Sequence, residues 1–306
     1  MITNEYCVSA QCPVIGGTIA YRIVNEHATG LPLIVVHGGP GTPHNYLASL
    51  ASLLPERQVI FYDQLDCGLS TKTNNPQWWQ KERFVDEIEK LSQHLGLQQF
   101  NLYAHSAGTM YAFDYALAYP DKITNLVLAS PVLSINAYLA SMHELLTTFP
   151  EHIQTAFRLA MEQNKTNTLE LMEATAYFAE HHMCRLPVWP DELFESSVNT
   201  NIQLRNYMWG CNDFLITGNL KDYERLSCLS EFKVKTLITV GEHDFISPTA
   251  CKEYVELMNN AQLAIILGAS HNPHLEQPKL YGAILHSWLE SSQKNALSHY
   301  EANCFL

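Results

Sequence analysis

Basic residues are scarce in this chain: 18 Lys and Arg stand against 31 Asp and Glu, a formal net charge of −13. A nucleic-acid groove or an anionic membrane surface needs excess positive charge, so neither is an expected partner. No apolar run approaches the roughly 18–20 residues that a membrane-spanning helix requires. The stretch Met1 to Pro13 lacks the basic start and apolar core of a secretion signal. Eight cysteines, at positions 7, 12, 67, 184, 211, 228, 251 and 304, contain no C-x-x-C, and their spacing suggests neither a disulfide framework nor a zinc site. These absences point to a cytoplasmic protein with reduced thiols that works without a metal or cofactor. His181-His182-x-Cys184 has no acidic or second-ligand pattern nearby and reads as a polar helix end. Internal repeats and low-complexity tracts are also missing.

What is present is an alternation of strand and helix signals. Gly16-Gly17 between two β-prone runs reads as a hairpin. Leu33–Val36, Gln58–Tyr62, Phe100–Tyr103 and Ile123–Ala129 are apolar runs of the kind buried in parallel sheets. Between the second and third, Phe84, Ile88, Leu91 and Leu95 recur at helical spacing. From about Leu133 to Tyr223 no buried strand appears, only helical segments such as 142–149, 153–163 and 169–182. Strand signals resume at Val234–Gly241 and Leu263–Leu267, and the tail after Ser292 looks loosely ordered. The expected architecture is an α/β fold: a mostly parallel central sheet with helices on both faces and an inserted helical cap. Residues 1–132 and 224–306 would form the core, and residues 133–223 the cap.

The segment Ala104-His105-Ser106-Ala107-Gly108 lies where a strand hands over to a helix. A serine at that corner projects its hydroxyl from a sharp turn, and small residues must flank it two positions away on each side. The common pattern is G-x-S-x-G, and here alanine takes the first glycine's place. Two further strand ends carry Asp244 and His271. A serine hydroxyl becomes a useful nucleophile only when an imidazole takes its proton and a carboxylate orients that imidazole. The order Ser106, Asp244, His271 is that of α/β-hydrolases. Backbone N–H groups of Ala107 and of Gly39, in the loop His37-Gly38-Gly39-Pro40-Gly41, are candidates for an oxyanion hole. His37 itself reads as a structural loop histidine, and His274 and Glu276 as residues that shape the His271 loop.

Taken together, the chain resembles the proline iminopeptidase family of serine peptidases, in particular its archaeal and lactobacillar subgroup. The resemblance rests on the His37–Gly41 loop, Tyr62-Asp63-Gln64 with Cys67-Gly68 and Ser70, and the Ser106 elbow. It continues through Asn212-Asp213-Phe214, Gly218, Leu220-Lys221-Asp222, Thr236–Glu242, Asp244 and the His271 loop, covering about residues 14–290. It implies release of an N-terminal proline or similar residue from a small or short-peptide substrate, whose cationic α-amine two carboxylates hold. Here those positions read Asp213, one methylene shorter than the usual glutamate, and Phe245 in place of the second. Asp66 and Leu69 also replace a usual glycine and arginine. Gly38, Asp213 and Phe245 are the expected substrate-binding residues, with a helix-cap role equally open for Asp213. Trp78-Trp79 and Trp209 are equally candidates for pocket wall and for packing. The changes at 213 and 245 leave room for an amino-acid amidase, esterase or lactonase. A ligand-binding homologue without catalysis is the alternative of another class.

Overall fold

A computed structural model describes residues 10–163 and 168–290; Cys7, Cys304 and the tail after Ser292 lie outside the described residues. The strands are β1 (Ala10–Val14), β2 (Gly17–Val24), β3 (Gly30–Val36), β4 (Arg57–Tyr62), β5 (Phe100–His105), β6 (Ile123–Ala129), β7 (Thr236–Gly241) and β8 (Ala261–Ile266). They form one sheet in the order β1-β2-β4-β3-β5-β6-β7-β8. The hairpin strand β2 pairs antiparallel with β1 and β4, and every later pair is parallel. The helices are α1 (Leu50–Leu53), α2 (Lys81–His94), α3 (Gly108–Ala118), α4 (Ile135–Thr147), α5 (Glu151–Gln163), α6 (Leu169–Phe178), α7 (Asp191–Val198), α8 (Ile202–Met208), α9 (Pro248–Leu257), α10 (Pro273–Glu276) and α11 (Pro278–Glu290).

Parallel strands are buried on both faces, which is why β3 reads as an unbroken apolar run. Successive side chains still alternate. Ile34 and Val36 join a core layer with Phe84, Ile88 and Leu91 of α2 and Met110 and Phe113 of α3. Leu33 and Val35 join the opposite layer with Leu50 of α1 and Tyr281 and Leu285 of α11. The sheet is therefore sandwiched, and its parallel strands deliver their carboxyl ends to one edge. Ligands of open α/β sheets bind along that edge.

Between β6 and β7 the described residues form five α-helices, α4 to α8, with a π-helical turn at Ala179–Met183 and a 3-10 turn at Leu226–Glu231, and no named strand. The chain leaves and re-enters at one place. Ile135 N–H donates to Tyr223 O and Arg225 N–H to Leu133 O, both at 2.9 Å. Ser134 joins the same crossing: its hydroxyl donates to Glu224 at 2.7 Å and accepts the Ala137 N–H that starts α4. Among the described residues no helix is long and apolar enough to cross a membrane.

Candidate active site

Ser106 sits between the end of β5 and the start of α3 with φ of +54°. That left-handed backbone is uncommon for a residue with a side chain and stores strain of order 1–3 kcal/mol. The close passage of strand and helix explains the small neighbours. A Cβ at Gly108 would lie 2.4 Å from His37 O, so only glycine fits there. Ala104, two residues before the serine, is fully buried in β5 and packs its methyl into the core. The alanine for glycine exchange in the elbow thus falls on the side that has room.

Asp244 follows β7, and its buried carboxylate is saturated with donors. Oδ1 accepts from His271 Nδ1 and from the Ile246 N–H, each at 2.9 Å, and Oδ2 accepts from Ser130 Oγ at 2.6 Å. A buried carboxylate without such partners would be expensive, so these three bonds fix its position. The imidazole of His271 is thereby oriented through Nδ1, which carries the proton, leaving Nε2 as the basic nitrogen.

The loop bearing His271 is tied down on several sides. Its N–H donates to His182 O at 3.1 Å, and Asn272 Nδ2 to Met183 O at 2.8 Å. Glu276 accepts from the N–H groups of Ser270 and Asn272 and from the Arg185 N–H. Residues 182–185, on the helical side, therefore hold the histidine loop. His105 holds it from below: Nε2 donates to His271 O at 2.8 Å, and Nδ1 meets the Tyr46 hydroxyl at 2.9 Å. That hydroxyl also accepts the Gly38 N–H at 2.9 Å, so it gives its own proton to His105 Nδ1. His105 is neutral, and burial, with His271 and His274 nearby, pushes its pKa well below the ordinary value.

The glycine-rich loop is anchored by the Tyr-Asp-Gln stretch. His37 Nε2 accepts from Gln64 N–H at 2.9 Å while Gln64 Nε2 donates to His37 O at 2.8 Å. Burial lowers the His37 pKa to about 4, so this histidine is a neutral strut. Asp63 accepts from the His44 ring and the Leu69 N–H, which closes the following turn. Asp66, at the family's usual glycine, has φ of +67°. Its carboxylate accepts from Thr73 Oγ1, Asn74 N–H and Trp79 Nε1, bonds that hold an aspartate in a glycine conformation. Leu69 is exposed.

Ser106, His271 and Gly39 line one cavity of about 280 Å³, together with Asp213 and Phe245. Gly38 is not among its lining residues, because its N–H is spent on Tyr46 and its Cα packs under Ser106. Asp213 does not stand alone. Oδ1 accepts from Arg205 Nη2 at 2.8 Å and from Trp209 Nε1 at 3.0 Å. Phe245 lies against His271, with ring centroids 4.1 Å apart, and is backed by Phe178 at 5.3 Å. Trp209 is a wall residue, whereas Trp78 and Trp79 pack elsewhere, over Gly16 and against Asp66. In the His181-His182-x-Cys184 stretch, His181 Nδ1 bonds Tyr177 O and His182 Nδ1 bonds His243 O.

The alpha/beta hydrolase fold family matches residues 32–278. A proline iminopeptidase of Heyndrickxia coagulans is 31% identical over 91% of this chain and 97% of its own. One from Lactobacillus helveticus is 32% identical over 92% and 98%. This chain belongs to the proline iminopeptidase family. The structure of the Mycobacterium smegmatis proline iminopeptidase superposes with a TM-score of 0.86 at 27% identity, covering 93% of this chain and 98% of that one. Like those relatives, it is an enzyme of the hydrolase class.

Several residues around the family's site escaped the sequence reading. Ser130, with φ of +51°, was marked only by its place just after an apolar run. Tyr46, Tyr138 and Arg205 come from helical segments whose facing could not be read without the fold. Of these, the Tyr138 hydroxyl is buried with no hydrogen-bond partner, and burial, then Asp213, raises its pKa well above the ordinary value.

Proposed function

We propose that this enzyme hydrolyses an amide or ester bond of a small acyl substrate through an acyl-enzyme on Ser106. The reading is carried by one observation: Ser106, strained at the elbow, shares a cavity with a histidine whose Nδ1 is committed to a buried, saturated carboxylate. His271 Nε2 takes the Ser106 proton as Oγ bonds the acyl carbon. The tetrahedral oxyanion is met by the N–H groups of Ala107 and Gly39, neither of which donates a hydrogen bond among the described residues. Each such donor contributes on the order of 3–4 kcal/mol to the transition state. Collapse breaks the bond to the leaving group, which receives the proton from His271 Nε2. Water, deprotonated by the same nitrogen, then releases the acid and restores the serine.

Residues 133–223 act in this scheme as a cap over Ser106, contributing Tyr138, Arg205, Trp209 and Asp213 to the cavity wall. The relatives' name favours an aminoacyl amide with an N-terminal proline or similar residue. Phe245 and the Asp213–Arg205 pair favour the second reading, an amidase or esterase for blocked acyl groups. Labelling with a fluorophosphonate, followed by peptide mass analysis, tests the chemistry. Ser106 should carry the phosphonyl group, and labelling only elsewhere, or none at all, overturns the mechanism.

A further inference from the structure

Leaving the histidines aside, only two lining residues of the Ser106 cavity carry full charges, Arg205 and Asp213. They neutralise each other at 2.8 Å, and the carboxylate takes a second bond from Trp209. Arg205 is held in that position from its other arm as well, since Nη1 donates to Gly210 O at 2.8 Å. Asp244, the next carboxylate, lies behind His271 with both oxygens engaged. A cation entering the cavity therefore finds no uncompensated negative charge and an arginine beside the one carboxylate it could reach. An anion meets the converse obstacle in Asp213. The pair is partly exposed, so solvent screens it, and an unpaired charge placed beside it is disfavoured by about tenfold in affinity and no more. Val132, Leu193, Ile202 and Phe245 supply apolar wall to the same space, and its other polar groups, such as the hydroxyls of Thr42 and Ser197, are uncharged.

We infer that the acyl side of the site selects an uncharged acyl group, with Arg205 and Phe245 as the residues that exclude a free α-ammonium. The inference rests on the acyl-enzyme reading above and narrows its substrate class to blocked aminoacyl amides and simple apolar acyl esters. Arg205 acts by cancelling Asp213. Phe245 acts by placing an aromatic face, not a second carboxylate, over His271.

The experiment measures protection of Ser106 against fluorophosphonate labelling in the full-length protein at pH 7. The two competitors are prolinamide, which is cationic through its ring amine, and N-acetylprolinamide, which is uncharged. Labelling without competitor reports on the serine chemistry alone, so loss of labelling would defeat that chemistry and the inference with it. N-acetylprolinamide is expected to protect at a concentration at least about tenfold lower than prolinamide, the scale of one uncompensated charge. Arg205→Gln should frees no new contact for the neutral competitor but uncovers Asp213, so prolinamide should gain about tenfold. Phe245→Glu should shift the ratio the same way and serves if the first variant misfolds. Equal or better protection by prolinamide in the native protein overturns the inference. So does the absence of protection by N-acetylprolinamide while Ser106 still labels.

Discussion

The floor of the cavity and its helical wall are built to different rules. On the floor, the charged and hydrogen-bonding groups of Asp244 and His271, the proposed acid and base, are pinned several times over. Asp244 has three donors, the His271 backbone is bonded at both N–H and C=O, and His105 bridges it to Tyr46 and Gly38. On the wall, Arg205 and Asp213 are partly exposed, at 21% and 38% of their side-chain surface, and Tyr138 has an unpaired hydroxyl. Rigid placement of a nucleophile and its base serves chemistry common to all substrates. A looser wall can change which acyl group is accepted without disturbing that chemistry. Substitutions on the floor should therefore lower turnover uniformly, and substitutions on the wall should reorder substrates.

The largest effect is expected at Ser106. Ser106→Ala should lose on the order of 10⁴-fold or more in kcat on every substrate the native enzyme accepts. Removing the hydroxyl leaves the elbow's backbone conformation intact, so the melting temperature should be nearly unchanged. A variant that keeps turnover on some substrates would show that the floor is not common to all of them.

Acid should strike the floor before the wall. Burial lowers the pKa of His37 and of His274 to about 4 and that of His105 well below its ordinary value. In the unfolded chain these rings take up protons below about pH 6.5. A depressed histidine thus contributes stability that is present above pH 6.5 and lost as the pH falls towards 4. Each contributes at most about 1.4 kcal/mol per pH unit. Glu87 works against them: burial raises its pKa to about 8, so its contribution falls as the pH rises from its ordinary value to 8. Three histidines outweigh one glutamate in acid, and stability should peak near pH 6.5. Denaturant titrations at pH 5, 6.5 and 8 check this, and Glu87→Gln should flatten the alkaline side and steepen the acid side, where Glu87 partly offsets the histidines.

A smaller effect belongs to Ser130. Its hydroxyl is one of three donors to Asp244, and its loss leaves Oδ2 short of a partner worth about 1–3 kcal/mol. Ser130→Ala should lower kcat about tenfold, by the same factor across a panel of amides and esters. A substrate-dependent loss would assign Ser130 to specificity and blur the division between floor and wall.

The floor was far more legible in the sequence than the wall, for a physical reason. Ser106, Asp244 and His271 each follow an apolar strand, and strands in a parallel sheet must end at one edge, so linear order already implies proximity. The β3 and β5 runs and the Gly16-Gly17 hairpin were readable for the same local reasons. Strand limits were set by pairing partners instead: β8 covers Ala261–Ile266, against the expected 263–267. The wall comes from helices, whose facing depends on how they pack. Nothing in the spacing of Arg205 and Asp213 distinguishes a pair bridging a turn from two separate surface charges. α7 and α8, of eight and seven residues, are short helices that the expected helical segments did not include.

The smallest effect should come from the wall's ion pair. An ion pair with partners this exposed contributes only about 0.2–1 kcal/mol, because solvent screens it and two long side chains must be held still. Trp209 Nε1 keeps its own bond to Asp213, so the carboxylate does not become an orphan when the guanidinium goes. Nothing else in the fold depends on Arg205 except its bond to Gly210 O, which lies at a turn after α8. Arg205→Gln should therefore shift the melting temperature by no more than about 2–4 °C. Calorimetry at low and high salt provides the check, since the native protein should lose the pair's contribution as salt rises while the variant has none to lose. Should Arg205→Gln instead cost more than about 3 kcal/mol, the wall would be as firmly built as the floor. Substrate choice would then be fixed by the same packing that fixes the chemistry, and the contrast between the two regions would fail.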